Sequence, residues 1–273
     1  MKTTTIIMIS IALAFLFLVE GSIIYFCSQM VPYKDEFREA SETTITQPLQ
    51  KFSSIAFLFD GNTYLSNSRR GAFLVAQSDS IGEPYIEIPD NLTDIIKVSN
   101  AGDILQISFI PPSETSTLVY GNVIVLSTPI IIHTPIMPDS IDNSFGNGVT
   151  ILGHSDKNLA INSQGTVKFS DARLATVNLT NNGLSRDVDP KGPIFVNSQL
   201  TEIITDNYKV PLNIESDTLS SVKKLTMNGM VDYNSYLDPG KLKIELFIFE
   251  PADSASAITV TEYSKISMSF NNN

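Results

Sequence analysis

The chain has 273 residues, 42% of them hydrophobic, and a formal net charge of −11; this composition excludes a disordered tail and is enough for one large domain or two modest ones. No basic run offsets that charge, which argues against a nucleic-acid partner, since such binding rests on neutralising phosphates with Lys and Arg. The single cysteine, Cys27, rules out an intramolecular disulfide.

Ile6 to Val19 is uncharged and broken only by Ser10. As a helix it reaches about 21 Å, and continuation through Ile23-Ile24-Tyr25-Phe26-Cys27 extends it to about 33 Å, enough for the roughly 30 Å hydrocarbon layer. Residues 1–28 are therefore expected to be one transmembrane helix, with the N-terminus in the cytoplasm and the bulk of the chain outside. The alternative is a signal segment cleaved after Val19-Glu20-Gly21, near Gly21, releasing the remainder. Residues 29–50, polar and charged with little periodicity, are expected to form a membrane-proximal linker.

From Phe52 onward short apolar runs recur between turn signals. They include Ile55 to Phe59 before Asp60-Gly61-Asn62, Ala72 to Ala76, Tyr85 to Ile88, Ile104 to Ile110, Tyr120 to Leu126 and Ile130 to Ile132. The triplets Val149-Thr150-Ile151, Leu159-Ala160-Ile161, Val167-Lys168-Phe169 and Val177-Asn178-Leu179 then place alternate members 18 residues apart. Each puts two apolar side chains on one face of a short strand, as a stacked coil requires. Later runs, Ile194 to Val196, Val210 to Ile214, Leu242 to Phe249, Ile258 to Val260 and Ile266 to Phe270, keep strand length and lose the spacing. The expectation is an all-β chain whose residues 51–273 form a single-stranded right-handed β-helix, a solenoid-like domain, with subregions 51–130 and 131–273. A β-sandwich is the alternative, because any twisted sheet with tight turns gives strands at 8–12-residue intervals.

The stretch Tyr85-Ile86-Glu87-Ile88-Pro89-Asp90-Asn91-Leu92, followed by Ile95-Ile96-Lys97-Val98 and Gly102-Asp103-Ile104-Leu105-Gln106-Ile107, resembles the head GIN domain family of autotransporter-adhesin-like envelope proteins. Phe52 to Gly61 echoes that family's opening strand and Val149 to Gly183 its coils, so the resemblance covers about 50–270. The family's repeated Gly-Ser-Gly corners have one counterpart here, Gly146-Asn147-Gly148. The resemblance implies stacked β-coils on an envelope protein and no catalytic residues.

No hydrolase elbow, zinc-binding helix motif, phosphate loop or dinucleotide fingerprint is present, and no catalytic, cofactor or metal residue is assigned. His133, at the end of an apolar run, reads as a packed side chain. His154-Ser155-Asp156 holds the three residue types of a hydrolase triad in adjacent positions, where side chains diverge, and reads as a turn. Asp187 and Asp189 with Asn181 and Asn182 supply too few oxygens for Ca²⁺. Ser80, Ser140, Thr218 and Ser254 each follow Asp and precede an apolar residue, a candidate O-glycosylation pattern, while Asn91 and Asn178 begin N-glycosylation sequons.

These features point to a non-enzymatic protein of the bacterial cell envelope, with an adhesin-like β domain outside the cytoplasm. Its expected partners are the membrane, through the N-terminal helix, and an envelope protein or surface glycan. Two alternatives stay open. One is a carbohydrate- or ligand-binding module, although the chain has no Trp and its only tyrosine cluster is Tyr233 and Tyr236. The other is a glycan-active enzyme using two carboxylates.

Overall fold

The computed structural model describes residues 19–20, 36–58, 63–67, 72–109, 122–126, 128–143, 148–180, 192–206, 212–229, 234–252, 256–260 and 267–270. The first strands in chain order are β1 (Glu36–Glu39), β2 (Thr44–Pro48), β3 (Ser54–Leu58), β4 (Thr63–Asn67), β5 (Phe73–Gln77) and β6 (Tyr85–Pro89). A 3-10 turn, Asp90–Leu92, leads to β7 (Ile96–Ala101), β8 (Ile104–Phe109), β9 (Asn122–Leu126), β10 (Ile130–Thr134) and β11 (Ser140–Asn143). Two long strands follow, β12 (Val149–Ser163) and β13 (Val167–Thr180), then β14 (Ile194–Val196), β15 (Gln199–Asp206), β16 (Leu212–Asn213), β17 (Glu215–Ser216) and β18 (Ser221–Asn228). The last are β19 (Asn234–Asp238), β20 (Lys243–Glu250), β21 (Ala257–Val260) and β22 (Ser267–Phe270). The chain is all-β.

Sixteen strands share one sheet, whose spine runs β2-β6-β10-β5-β12-β13-β15-β18-β20-β22. From β10 to β22 every neighbouring pair on this spine is parallel. The sequence triplets meet their own repeats: Val149 lies beside Val167 and Ile151 beside Phe169, then Leu159 beside Val177 and Ile161 beside Leu179. The 18-residue recurrence is thus the offset between β12 and β13. It lengthens afterwards, with Lys168 beside Ile194, Gln199 beside Ser221 and Ser221 beside Lys243. Two three-stranded sheets accompany the spine, β1-β9-β4 and β16-β19-β21, and both are parallel.

Inward side chains stack from strand to strand. Leu174, Leu200, Val222 and Ile244 form one buried row, and Val177, Ile203, Leu225 and Phe247 another. Phenylalanines concentrate the apolar burial: Phe57 stacks on Phe73 with centroids 3.8 Å apart, and Phe169 on Phe195 at 5.1 Å. All four are fully buried. Each such side chain contributes about 1.5–3 kcal/mol relative to exposure, and pairing adds specificity through ring geometry.

The N-terminal end of the spine is closed by two antiparallel strands, β6 against β10 and β2 against β6. Every residue of β2 is exposed, and its Pro48 offers no N–H. A polar edge ending in proline discourages strand addition. Within the expected linker 29–50, Glu36–Glu39 and Thr44–Pro48 are strands: β1 pairs with β9, and Ser41 and Thr43, between the two strands, donate hydrogen bonds from their hydroxyls to the Asp90 carboxylate. The polar character that suggested a linker belongs to an exposed edge. Pairs such as β5 with β12 and β3 with β11 join residues before 131 to residues after it in one sheet.

Among the described residues no helix is long and apolar enough to cross a membrane. The expected anchor, residues 1–28 with Cys27, lies outside the described residues apart from Val19 and Glu20, which are helical.

Candidate functional site

Four successive rungs carry the same local pattern, an inward apolar residue, two residues that do not enter the core, and an inward apolar residue. It reads Leu174-Ala175-Thr176-Val177, Leu200-Thr201-Glu202-Ile203, Val222-Lys223-Lys224-Leu225 and Ile244-Glu245-Leu246-Phe247. Strict alternation would send every second side chain inward, so two outward residues in a row bend the strand. The pairing registers pass over Ala175, Thr201, Lys223 and Glu245 in every rung. Because the bend recurs at the same level of each rung, it forms a trough across the strands.

Beside it, β12 and β13 carry two compensating irregularities. Between Leu152 and Gly153, β13 has one residue more, Asp171, at φ +49°; between Ser155 and Asn158, β12 has one residue more. Gly153 adopts φ +120°, and a Cβ there would stand 2.7 Å from both the carbonyl oxygen and Oε1 of Gln77. Gln77 Oε1 accepts a hydrogen bond from the His154 N–H at 2.9 Å, which ties the bulge to the end of β5.

The resulting open groove has a volume of about 290 Å³. Its walls carry Asp156 from β12, Arg173 from β13, Gln199 and Thr201 from β15, Lys223 from β18 and Glu245 from β20. Along the stacking direction the charges therefore run negative, positive, neutral, positive, negative. The Arg173 guanidinium donates to Gln199 Oε1 at 2.6 Å. Lys224, next to Lys223, is engaged by Glu202 of the adjacent rung at 2.7 Å. Among the described residues the side chains of Asp156, Lys223 and Glu245 make no hydrogen bond or ion pair.

A buried polar corner holds one wall. Ser198 Oγ accepts from the Ala172 N–H, and Ser220 Oγ accepts from the Ser198 N–H. Asn197, at φ +48°, donates from its side chain to Asp171 Oδ1 and from its backbone to Asp217 Oδ2. Asp217 Oδ1 also accepts from the Ser220 hydroxyl and the Leu219 and Ser220 N–H groups. The Ser220 hydroxyl bond, with the backbone donors behind it, holds the Asp217 carboxyl below its ordinary value. At the opposite end of the molecule the Ser41 and Thr43 hydroxyls do the same for Asp90.

The sequence-derived candidates are scattered over this framework. His133 stacks on Tyr85 at 4.3 Å, with Nε2 3.1 Å from Glu87 Oε1 but not aligned for a hydrogen bond. His154, Ser155 and Asp156 lie in the β12 bulge and not in a turn, because β13 pairs with this stretch on both sides of the irregularity. They diverge: His154 Nε2 faces Asp79 Oδ2 at 3.3 Å, Ser155 Oγ accepts from the Lys157 N–H, and Asp156 enters the groove. Ser80 and Thr218 are exposed, whereas Ser140 is half-buried between β3 and β12 and donates to Ser54 Oγ. The Asn91 side chain is held by the Glu39 carbonyl and the Ser41 N–H. Ser254, Tyr233, Asn181, Asn182, Asp187 and Asp189 lie outside the described residues. Among the described residues no group of three or more His, Cys, Asp or Glu is arranged to hold a metal.

Arg173, Gln199, Lys223 and Glu245 belong to no motif, and the sequence reasoning missed them. The signal that could have found them is the apolar-x-x-apolar pattern recurring from Leu174 to Phe247.

No family model matches the chain, and no curated protein matches it. Among solved structures it is similar to a lipid-binding-protein candidate from Parabacteroides distasonis, at 13% identity, covering 86% of this chain and 96% of that one with a TM-score of 0.38. It is also similar to an adhesin candidate from Parabacteroides merdae (13% identity, 87% and 100% covered, TM-score 0.37) and another from Bacteroides fragilis (15%, 85% and 99%, TM-score 0.32). Likenesses this distant fix neither fold nor function.

Proposed function

We propose that this chain is a non-enzymatic, adhesin-like protein of the bacterial envelope, tethered by residues 1–28, whose parallel rungs form a solenoid wall that engages surface components outside the cytoplasm. The observation that carries this reading is the groove: an open, polar trough crossing five strands, where the side chains of Asp156, Lys223 and Glu245 have no partner among the described residues. The uncharged run Ile6 to Val19, broken only by Ser10, and the resemblance of residues 50–270 to head GIN domain proteins support the location. A groove of this kind suits a linear ligand laid along the stacking direction, which matches surface glycans and extended protein segments.

The carboxylate-enzyme alternative fits the groove poorly. Asp156 on β12 and Glu245 on β20 are four strand spacings apart, about 19 Å, whereas glycoside hydrolysis uses carboxyl groups about 5–10 Å apart. Of the Asp-Ser/Thr positions, Ser80 and Thr218 are the ones proposed to carry glycans, since both are exposed.

The test is adhesion. Native-host cells lacking the chain, wild-type cells and complemented cells are compared for attachment to glycan-coated surfaces, with membrane fractionation of the protein alongside. Loss of attachment restored by complementation, with the chain in the membrane fraction, supports the reading. Unchanged attachment, or a cytosolic protein, contradicts it.

A further inference from the structure

The groove's chemistry narrows the ligand, on the premise that it is the interaction surface proposed above. At its centre stand two cations, Arg173 on β13 and Lys223 on β18, with β15 between them. Parallel strands lie about 4.8 Å apart, so the two rows are about 9.6 Å apart. At the outer ends stand two acceptors, Asp156 and Glu245, and between the cations are Gln199 and Thr201, which can each donate and accept. A ligand that satisfies this row presents anionic groups to the middle and donates hydrogen bonds at both ends.

We propose that the groove binds a linear acidic glycan, one whose sugars carry carboxylates at intervals matching alternate rungs and hydroxyl groups between them. Sugar carboxylates pair with Arg173 and Lys223, and hydroxyls donate to Asp156 and Glu245 and exchange bonds with Gln199 and Thr201. A polyphosphate lacks those donors, and its evenly spaced charges, like those of a nucleic-acid backbone, meet Asp156 and Glu245 as like charges. A neutral glycan leaves Lys223 without a counter-charge. The net charge of −11 repels an acidic polymer from the rest of the surface and so confines it to this row. With no tryptophan in the chain, affinity rests on hydrogen bonds and charge and grows with the number of sugars bound.

The experiment uses the full-length chain in detergent micelles. It is titrated with one oligosaccharide backbone in three forms, with carboxylates on alternate sugars, with carboxylates on every sugar, and with none, beside a poly-glutamate peptide and inorganic polyphosphate. The alternate-carboxylate form is expected to bind tightest. R173A and K223A are each expected to weaken it about fivefold, the upper range for an exposed charge pair, and binding is expected to fall as salt rises. D156N/E245Q is expected to raise polyphosphate binding and so narrow the preference for the glycan. Far-UV circular dichroism of each variant confirms that the exposed substitutions leave the sheet intact. Equal binding of the neutral form, tighter binding of peptide or polyphosphate, or no change in R173A/K223A overturns the assignment. If cell attachment depends on the chain while no acidic glycan binds, the ligand class is wrong and the interaction role stands; if attachment is also independent of the chain, the interaction role fails.

Discussion

Substituting Gly153 by alanine tests whether the β12 bulge is pinned as the structure has it. At φ +120° an L-residue is strained by about 1–3 kcal/mol. The new Cβ would also stand 2.7 Å from the Gln77 carbonyl oxygen and Oε1, and 2.8 Å from its Cβ. Overpacking of that kind adds about 1–3 kcal/mol. The two effects together predict a loss of about 2–6 kcal/mol, a large part of a typical domain's total stability. Shortening Gln77 to alanine removes Oε1 but leaves its carbonyl and Cβ in place, so Q77A is not expected to rescue G153A. Urea unfolding followed by far-UV circular dichroism and by the fluorescence of the nine tyrosines reads the change. A loss below about 0.5 kcal/mol, or full rescue by Q77A, would refute the reasoning, since it would mean that β12 and the end of β5 are not in this contact.

Phe169 and Phe195 are 26 residues apart yet stacked at 5.1 Å; a double-mutant cycle with F169L and F195L is expected to give a coupling of about 0.5–1.5 kcal/mol, and additivity within about 0.3 kcal/mol would deny the contact. Gly192→Ala would place a Cβ 1.9 Å from the Asn213 carbonyl oxygen on the next rung, so it should cost about 3 kcal/mol or more, read as a lower urea midpoint. Asp217 is held below the ordinary carboxyl value, first by the Ser220 hydroxyl. Its stabilising contribution is therefore complete above the unfolded value of about 3.9 and lost as pH falls through the lower folded value. The gap in urea midpoint between wild type and D217N should be open at about pH 6 and close toward about pH 2; a gap that widens on acidification contradicts the assignment.

The strands whose apolar residues alternate without interruption were legible in the sequence. Ile55 to Leu58, Tyr85 to Ile88 and the four triplets from Val149 to Leu179 all lie in strands, and the 18-residue offset of the triplets is the offset at which β12 meets β13. Beyond Thr180 the offset grows, because longer connections enter between rungs, and a fixed period is no longer visible. Ser221 to Asn228 is a full strand that the sequence disguised: the bend inserts Lys223-Lys224 between Val222 and Leu225 and breaks the alternation that identifies a strand. The same bend makes the groove, so the feature that hid β18 is the one that built the site. The β12 bulge was hidden for a related reason. His154-Ser155-Asp156 suggested a turn, and only pairing with β13 on both sides shows the strand continuing through it.

The groove exists only if successive strands stack in parallel at the stated register, with Gln199 beside Ser221. The most direct measurement of that register is disulfide trapping in a C27S background, with cysteines at 199 and 221 in one variant and at 199 and 243 in another, mapped by mass spectrometry after mild oxidation. Neighbouring parallel strands bring Cα atoms within the roughly 4.4–6.8 Å that a disulfide spans, and two strand spacings, about 9.6 Å, do not. A bond between 199 and 221 is expected, and none between 199 and 243. Bonding of 199 to 243, or of neither pair, would contradict this register.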